Sequence, residues 1–295
     1  RSLFGLLTSP VRGAYGLTKK TAGLLLHEGK ETVLHPSRLV QGANIATDSA
    51  AVVARMLRYP PDPDTPLKGP LGVQKRVAWS DALPFNDVRL IAQTYDAKIN
   101  DVLMSVVAGA LRDYLQAEGV DVAGLSLRAV VPVDLRHPSK ASELGNNFGL
   151  VFATLPVGLD APLERLAAVR GKMTEIKQSP EAVVFLSLLN LFGHTPQAVE
   201  EQVVNLFGAR ASVVLTNVAG PRQPLYLAGS RIEHILFWVP QAAHLGLGIS
   251  IFSYNGEVLI GIISDAGLVA GPDEIADRFN QEFAQLLALA QAETA

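Results

Sequence analysis

Two apolar runs, Gly246 to Tyr254 and Glu257 to Ile263, are joined by the dipeptide Asn255-Gly256. Asn and Gly both tolerate the left-handed backbone that a tight two-residue turn demands, so this stretch predicts a β-hairpin. It is the strongest local signal in the chain, and it commits the C-terminal third to a sheet. Elsewhere helix and strand signals are mixed. Val102, Leu103, Val106, Val107, Ala110, Leu111, Tyr114 and Leu115 recur at three-to-four spacing, which predicts a helix over 100–118 with one buried stripe. Gly119 ends it. Leu127 to Val133, Phe148 to Val157 and Ser212 to Leu215 read as strands. Pro162 to Gln178, Pro180 to Phe192 and Pro196 to Phe207 read as helices, each with proline near its start, where the missing N–H costs little. Asn86 or Asp87 is placed to cap a helix carrying Ile91 and Tyr95. Pro272-Asp273 opens a last helix with Ile275, Phe279, Phe283, Leu286 and Leu287 inward. The order is α+β with a mixed β-sheet flanked by helices, not a regular βαβ alternation.

The N-terminal quarter differs. Residues 1–58 carry helical spacing interrupted by Gly5, Pro10, Gly13, Gly16 and Gly23, and Tyr59 to Pro66 holds four prolines that exclude helix. The expected division is a helical, basic and Pro-rich linker or crossover region over 1–72 and a lobe over 73–295. Residues 1–40 hold six bases against two acids, whereas the whole chain is at −3, so the remainder carries −7. A basic, Leu-rich start on an acidic body suits an anionic surface such as a membrane; a solvated helical face explains it equally well. No apolar window reaches the ~20 residues that a membrane-spanning helix needs. The chain begins at Arg1 rather than Met, the pattern of a processed product or of part of a longer chain.

Composition narrows the chemistry. Of 295 residues 48% are hydrophobic and 18% charged, a globular balance that rules out a disordered chain. The weakly acidic total gives no reason to expect nucleic acid as a partner. With no cysteine there is no disulfide, thiolate metal site or cysteine nucleophile. Ser250 lies in strand sequence rather than a G-x-S-x-G elbow, and neither Gly29-Lys30 nor Gly171-Lys172 continues as a phosphate loop. The six histidines are scattered, and no two are adjacent.

Three polar clusters stand out. Asn100-Asp101 opens the most hydrophobic helix, with Asn100 as its N-cap and Asp101 favoured by the helix dipole, or else with this polar tip facing a cavity. Thr216-Asn217-Val218-Ala219-Gly220-Pro221 ends a buried strand, as a plain turn or as amides placed beside a reacting centre. Gly246-x-Gly248 strips bulk from an Ile-rich strand, which marks a bulge or the close approach of a long substrate.

These clusters, taken in order with Gly69-Pro70-Leu71-Gly72 before a basic strand, Val131-Pro132-Val133-Asp134-Leu135-Arg136, Gly145-Asn146-Asn147-Phe148-Gly149 and Ser253-Tyr254-Asn255-Gly256, form a recognisable set. The chain resembles the C-terminal half of the bacterial wax ester synthase/acyl-CoA:diacylglycerol acyltransferase family over nearly everything after about residue 65. Ala219 stands where that family more often has Pro. The resemblance implies one lobe of a two-lobed, chloramphenicol-acetyltransferase-like and condensation-domain-like fold, with a tunnel between the lobes. It also implies an O-acyltransferase moving a long-chain acyl group from acyl-CoA to diacylglycerol or a fatty alcohol, with acyl-CoA as co-substrate and no cofactor or metal. Its base is expected in a His-His-x-x-x-Asp-Gly motif on an N-terminal lobe, since this sequence contains no such motif. In this chain the resemblance makes Asn100, Asp101 and Asn217 site-organising residues, and lines the substrate tunnel with Thr216, Gly220, Pro221, Gly246, Gly248 and Ser250. Asp265 reads as structural. The expected location is cytoplasmic, peripheral to the inner membrane or to lipid droplets. Two alternatives are a catalytically silent lipid- or CoA-binding module of the same fold, and a membrane-surface interaction protein using residues 1–40.

Overall fold

A computed structural model describes residues 60–135, 148–179, 181–192 (side chains through 186), 204–205 and 208–294. The helical and basic expectations for 1–58, nearly all of the helix expected at 196–207 and the Gly145-Asn146-Asn147 part of the motif series lie outside the described residues. Fourteen elements follow in chain order: β1 Lys75–Trp79, β2 Leu83–Pro84, α1 Phe85–Thr94, α2 Ile99–Ala117, β3 Leu127–Asp134, β4 Phe148–Leu155, α3 Pro162–Gln178, α4 Glu181–Phe192, β5 Val213–Ala219, β6 Tyr226–Leu227, β7 Ser230–Arg231, β8 Leu247–Tyr254, β9 Glu257–Asp265 and α5 Pro272–Thr294.

The main sheet has seven strands in the order β1-β9-β8-β5-β3-β4, with β2 also paired to β9. Pairs β3/β5 and β5/β8 are parallel and the rest antiparallel, so the sheet is mixed, as expected. The Asn255-Gly256 turn joins β8 to β9 with both residues at positive φ, 48° and 85°, the backbone its dipeptide favours. Side chains alternate across the sheet. In β5 and β8 the alternation sends Val213, Leu215, Leu247, Ile249 and Ile251 into one core with α1, α2, α3 and α5. Helix α2 lies deepest: Val102, Leu111 and Leu115 are fully enclosed. Among the described residues no helix is long and apolar enough to cross a membrane.

Two boundaries differ from the local expectation. Helix α1 starts at Phe85 behind Pro84, with no side-chain cap, so neither Asn86 nor Asp87 caps it. Helix α2 starts at Ile99 behind Lys98, so Asn100 is inside the first turn rather than at the N-cap. The cap is closed from within: Asp101 Oδ2 accepts the Lys98 amide at 3.0 Å.

The proline-rich stretch is stitched to the body over its described part. Asp62 Oδ2 accepts the Ser212 hydroxyl at 2.5 Å and the Arg128 amide at 2.9 Å. Arg128 also donates to the carbonyls of Arg210 and Pro60, and Lys68 Nζ to that of Ala209. Farther on, Asp265 gathers the chain after it. Its Oδ2 takes the Gly72 amide and the Lys75 ammonium, both at 2.7 Å, and its Oδ1 takes the Gly267 amide at 3.0 Å. The Lys75 hydrogen bond is the main cause that holds this carboxyl below its ordinary pKa. A lowered acid contributes stability above its unfolded pKa and loses it as pH falls through the folded one. Asp265→Asn should therefore destabilise the fold by about 1.5–3 kcal/mol at neutral pH. In urea unfolding, that gap should close as pH drops below about 4.

A candidate functional site at the Asn100–Asn217 junction

Strand alternation carries Asn217 onto the helix-covered face, two residues beyond Leu215. The strand does not stop at Leu215. It runs through Thr216, Asn217 and Ala219 because β8 pairs with it as far as Ser253, and the turn comes only at Gly220-Pro221. On that face the half-buried Asn217 meets the first turn of α2. Asn217 Nδ2 donates to Asn100 Oδ1 at 2.9 Å. The other ends of the two amides, Asn100 Nδ2 and Asn217 Oδ1, make no hydrogen bond among the described residues. Asp101 sits behind them, 2% exposed, with its Oδ1 unpartnered. Lys177 lies within electrostatic reach of Asp101, but burial, the larger effect, pushes its ammonium below the ordinary lysine pKa.

Two cavities meet at this pair. One, of about 440 Å³, lies between the N-terminal ends of α1 and α2 and the far ends of β5 and β8; Phe85, Arg89, Gly220, Pro221, Arg222 and Asn255 are among its walls. The other, of about 420 Å³, is lined chiefly by apolar side chains, Met104, Val131, Val133, Val151, Met173 and Ala182 among them. Among the described residues, Asn100 and Asn217 are the two that line both. Gly220 needs to be glycine here: its amide donates to the Ser253 carbonyl at 2.9 Å, and a Cβ would come 2.5 Å from that same oxygen.

The structure thus joins Asn100, Asp101, Asn217, Gly220 and Pro221 at one end of the sheet. It does not bring Thr216, Gly248 or Ser250 to them. Those three alternate onto the opposite face, with Thr216 paired to Ser250 and Val214 to Gly248. That face is covered by the chain itself. The Ser250 hydroxyl donates to the carbonyl of Phe237, the Phe237 ring meets Phe252 edge-on at 5.8 Å, and a Cβ on Gly248 would come 2.6 Å from Val239 Cγ2. Gly246 lies at the other end of β8, roughly 17 Å along the strand from the level of Asn217. It packs against Leu268 and the Leu67 carbonyl. Gly248→Leu should accordingly cost about 1–3 kcal/mol of stability by displacing the 237–239 segment, with the acyl-chain profile unchanged. A changed profile at full stability would place this face on the acyl path instead.

Several lining residues carry no local signal as site residues. Arg89 and Arg222 come to one cavity from α1 and from the β5 turn, and Asn255 reads only as a turn residue. The junction holds amides that can bind and orient a carbonyl or hydroxyl, yet among the described residues no histidine lines either cavity. His234 faces Glu257 at 3.3 Å, an exposed pair outside both cavities.

Comparison with known proteins agrees with this architecture. Residues 144–287 match the model of the WS/DGAT C-terminal domain. Diacylglycerol O-acyltransferases named in Mycobacterium tuberculosis and Mycobacterium bovis are 29% identical over 229 residues, 76% of this chain. The chain spans about half the length of these relatives, 49%. The solved wax ester synthase/diacylglycerol acyltransferase from Marinobacter aquaeolei VT8 superposes with a TM-score of 0.61 at 23% identity, covering 84% of this chain and 57% of that one. The nonribosomal peptide synthetase FmoA3 superposes at 0.54 and 18% identity over 82% of this chain and 26% of its own. These likenesses show a shared fold. Residues 144–287 match the WS/DGAT C-terminal domain, and the chain is similar over three quarters of its length to diacylglycerol O-acyltransferases.

Proposed function

We propose that this chain is the C-terminal lobe of an acyl-CoA-dependent O-acyltransferase that moves a long-chain acyl group onto diacylglycerol or a fatty alcohol. The observation that carries the proposal is the Asn100–Asn217 pair, two half-satisfied amides at the junction of two cavities on a WS/DGAT C-terminal domain. Acyl transfer needs a hydroxyl oxygen to attack the thioester carbonyl, the C–S bond to break, and the hydroxyl proton to reach the departing thiolate. Asn100 Nδ2 is free to donate to a carbonyl oxygen and Asn217 Oδ1 to accept from a hydroxyl, so the pair orients the partners without moving a proton. The base then comes from the His-His-x-x-x-Asp-Gly lobe that the resemblance implies, worth typically 10²–10⁴-fold. The chain's half-length match to its relatives supports a second lobe.

Supplied with that lobe, palmitoyl-CoA and diacylglycerol, the protein should release CoA in step with triacylglycerol formation. CoA release with no glyceride or wax ester product would make it a hydrolase and overturn the proposal.

A further inference from the structure

Between β7 and β8, residues 232–244 run without helix or strand across the sheet face opposite the helices. Only Val239 in this stretch is buried, at 8% exposed. Among the described residues, no backbone N–H from Glu233 to His244 donates to a backbone carbonyl. Few contacts hold the segment down. Val239 fills the notch left by Gly248, and the Trp238 indole nitrogen sits beside Gly261. The Phe237 carbonyl accepts from the Ser250 hydroxyl, its ring meets Phe252, and His234 pairs with Glu257 at the surface. The two ends, by contrast, are fixed. The Tyr254 hydroxyl accepts the Leu225 amide at 2.7 Å and donates to the Ile232 carbonyl at 3.0 Å. At the far end Gln241 Nε2 donates to the Gly246 carbonyl at 2.5 Å, and the Gly69 amide to the His244 carbonyl at 3.1 Å. Within that end Ala243 and His244 both stand at positive φ, 52° and 69°, where a Cβ crowds its own backbone.

We infer that residues 232–244 form a strap that opens as a unit between its two fixed ends while the seven-stranded sheet stays folded beneath it. Closing the strap orders a long segment in return for one buried side chain and a handful of side-chain contacts, so the closed state is shallow. The left-handed turn at Ala243-His244 tilts the balance further toward opening, because that strain is relieved when the segment lifts. Opening uncovers Gly248, Ser250 and Gly261. It also frees the Phe252 ring, against which Gly220 rests at the wall of one cavity. The strap belongs to the lobe itself, whichever reaction the lobe serves.

The chain has no cysteine, so a single introduced thiol in the full 295-residue protein reports access without interference. Ser250→Cys puts a thiol under the strap, at a position 1% exposed. Ile249→Cys puts one in the helix-covered core, one residue away on the same strand and fully enclosed. Each rate of labelling by a disulfide reagent is divided by that of the same variant unfolded in urea, which gives its open fraction. Ile249→Cys should open only as often as its lobe unfolds, whereas Ser250→Cys should open at least about 100-fold more often than its own lobe unfolds. Ala108→Cys, enclosed in α2, replaces Ile249→Cys should that variant not fold. In the Ser250→Cys background, Val239→Ala should raise the open fraction about tenfold by shortening the one buried side chain. Ala243→Gly should lower it about threefold, since glycine meets that backbone without strain. In the unsubstituted chain, chymotrypsin should cut at Phe237 or Trp238 faster than the lobe unfolds and leave the two fragments associated. The strap is overturned if Ser250→Cys is labelled only as often as its lobe unfolds, if chymotrypsin cuts no faster than unfolding, or if Val239→Ala and Ala243→Gly do not move the open fraction in these opposite directions.

Discussion

Arg165→Leu should cost the lobe about 3–5 kcal/mol, the largest stability loss expected from one substitution in it. Arg165 is 1% exposed and is paired with Glu282 of α5, itself 6% exposed. Its other amino group donates to the carbonyls of Leu159 at 2.6 Å and Asp160 at 3.1 Å. Gly109 of α2 makes room for the pair: any Cβ there would collide with the Glu282 carboxyl. Three helices of the core thus close on one buried ion pair. Removing the arginine strands a desolvated carboxylate, and burial already pushes Glu282 above its ordinary pKa against the pull of Arg165. A raised acid keeps its proton in the fold after the unfolded chain has lost it, so this contribution to stability falls as pH rises through the raised value. The Arg165→Leu defect should therefore ease in acid. The double variant with Glu282→Leu should regain most of the loss, because a well-packed apolar pair is often neutral against a buried ionic one. A urea double-mutant cycle measures this; additive losses would show that the two charges do not support each other.

Asn217→Ala carries the largest expected effect on activity. In the assembled enzyme kcat should fall by on the order of 10–10²-fold, because the acceptor Asn217 Oδ1 and the bond that orients Asn100 are lost together. Stability should change by only about 0.5–1.5 kcal/mol, the net worth of one hydrogen bond. Asn217→Asp separates orientation from shape. Its carboxylate keeps an acceptor where Asn217 Oδ1 stands, but it cannot donate to Asn100 Oδ1 and it brings charge to the junction. A KM for acyl-CoA near the parent value in Asn217→Ala would put the loss in turnover rather than in binding. Unchanged turnover with a clear stability loss would make the residue an ordinary strand-end amide.

Local chemistry made part of this protein legible. Asn255-Gly256 could hardly do anything but turn, and the Val102-to-Leu115 stripe could only be a buried helix face. Asn100, Asp101 and Asn217 stand out as polar residues in apolar surroundings, and they do converge. What stayed hidden depends on partners far away in the chain. The extension of β5 through Ala219 follows from its pairing with β8, which no local turn propensity reveals. The bare strand at Gly248 signals a close approach, but only the fold identifies Val239 as what approaches. Arg165 and Glu282 look like surface charges on amphipathic helices until α2, α3 and α5 are packed. Arg89 and Arg222 come to line one cavity only when α1 meets the end of β5.

Reconstitution tests the central claim most directly. This chain, a separately purified lobe carrying His-His-x-x-x-Asp-Gly, and their mixture should each be given labelled palmitoyl-CoA with diacylglycerol or hexadecanol. The account predicts acyl ester in the mixture alone, abolished by Ala at the second histidine of the partner lobe and reduced by Asn217→Ala. No ester from a mixture of two folded, associated lobes would contradict it.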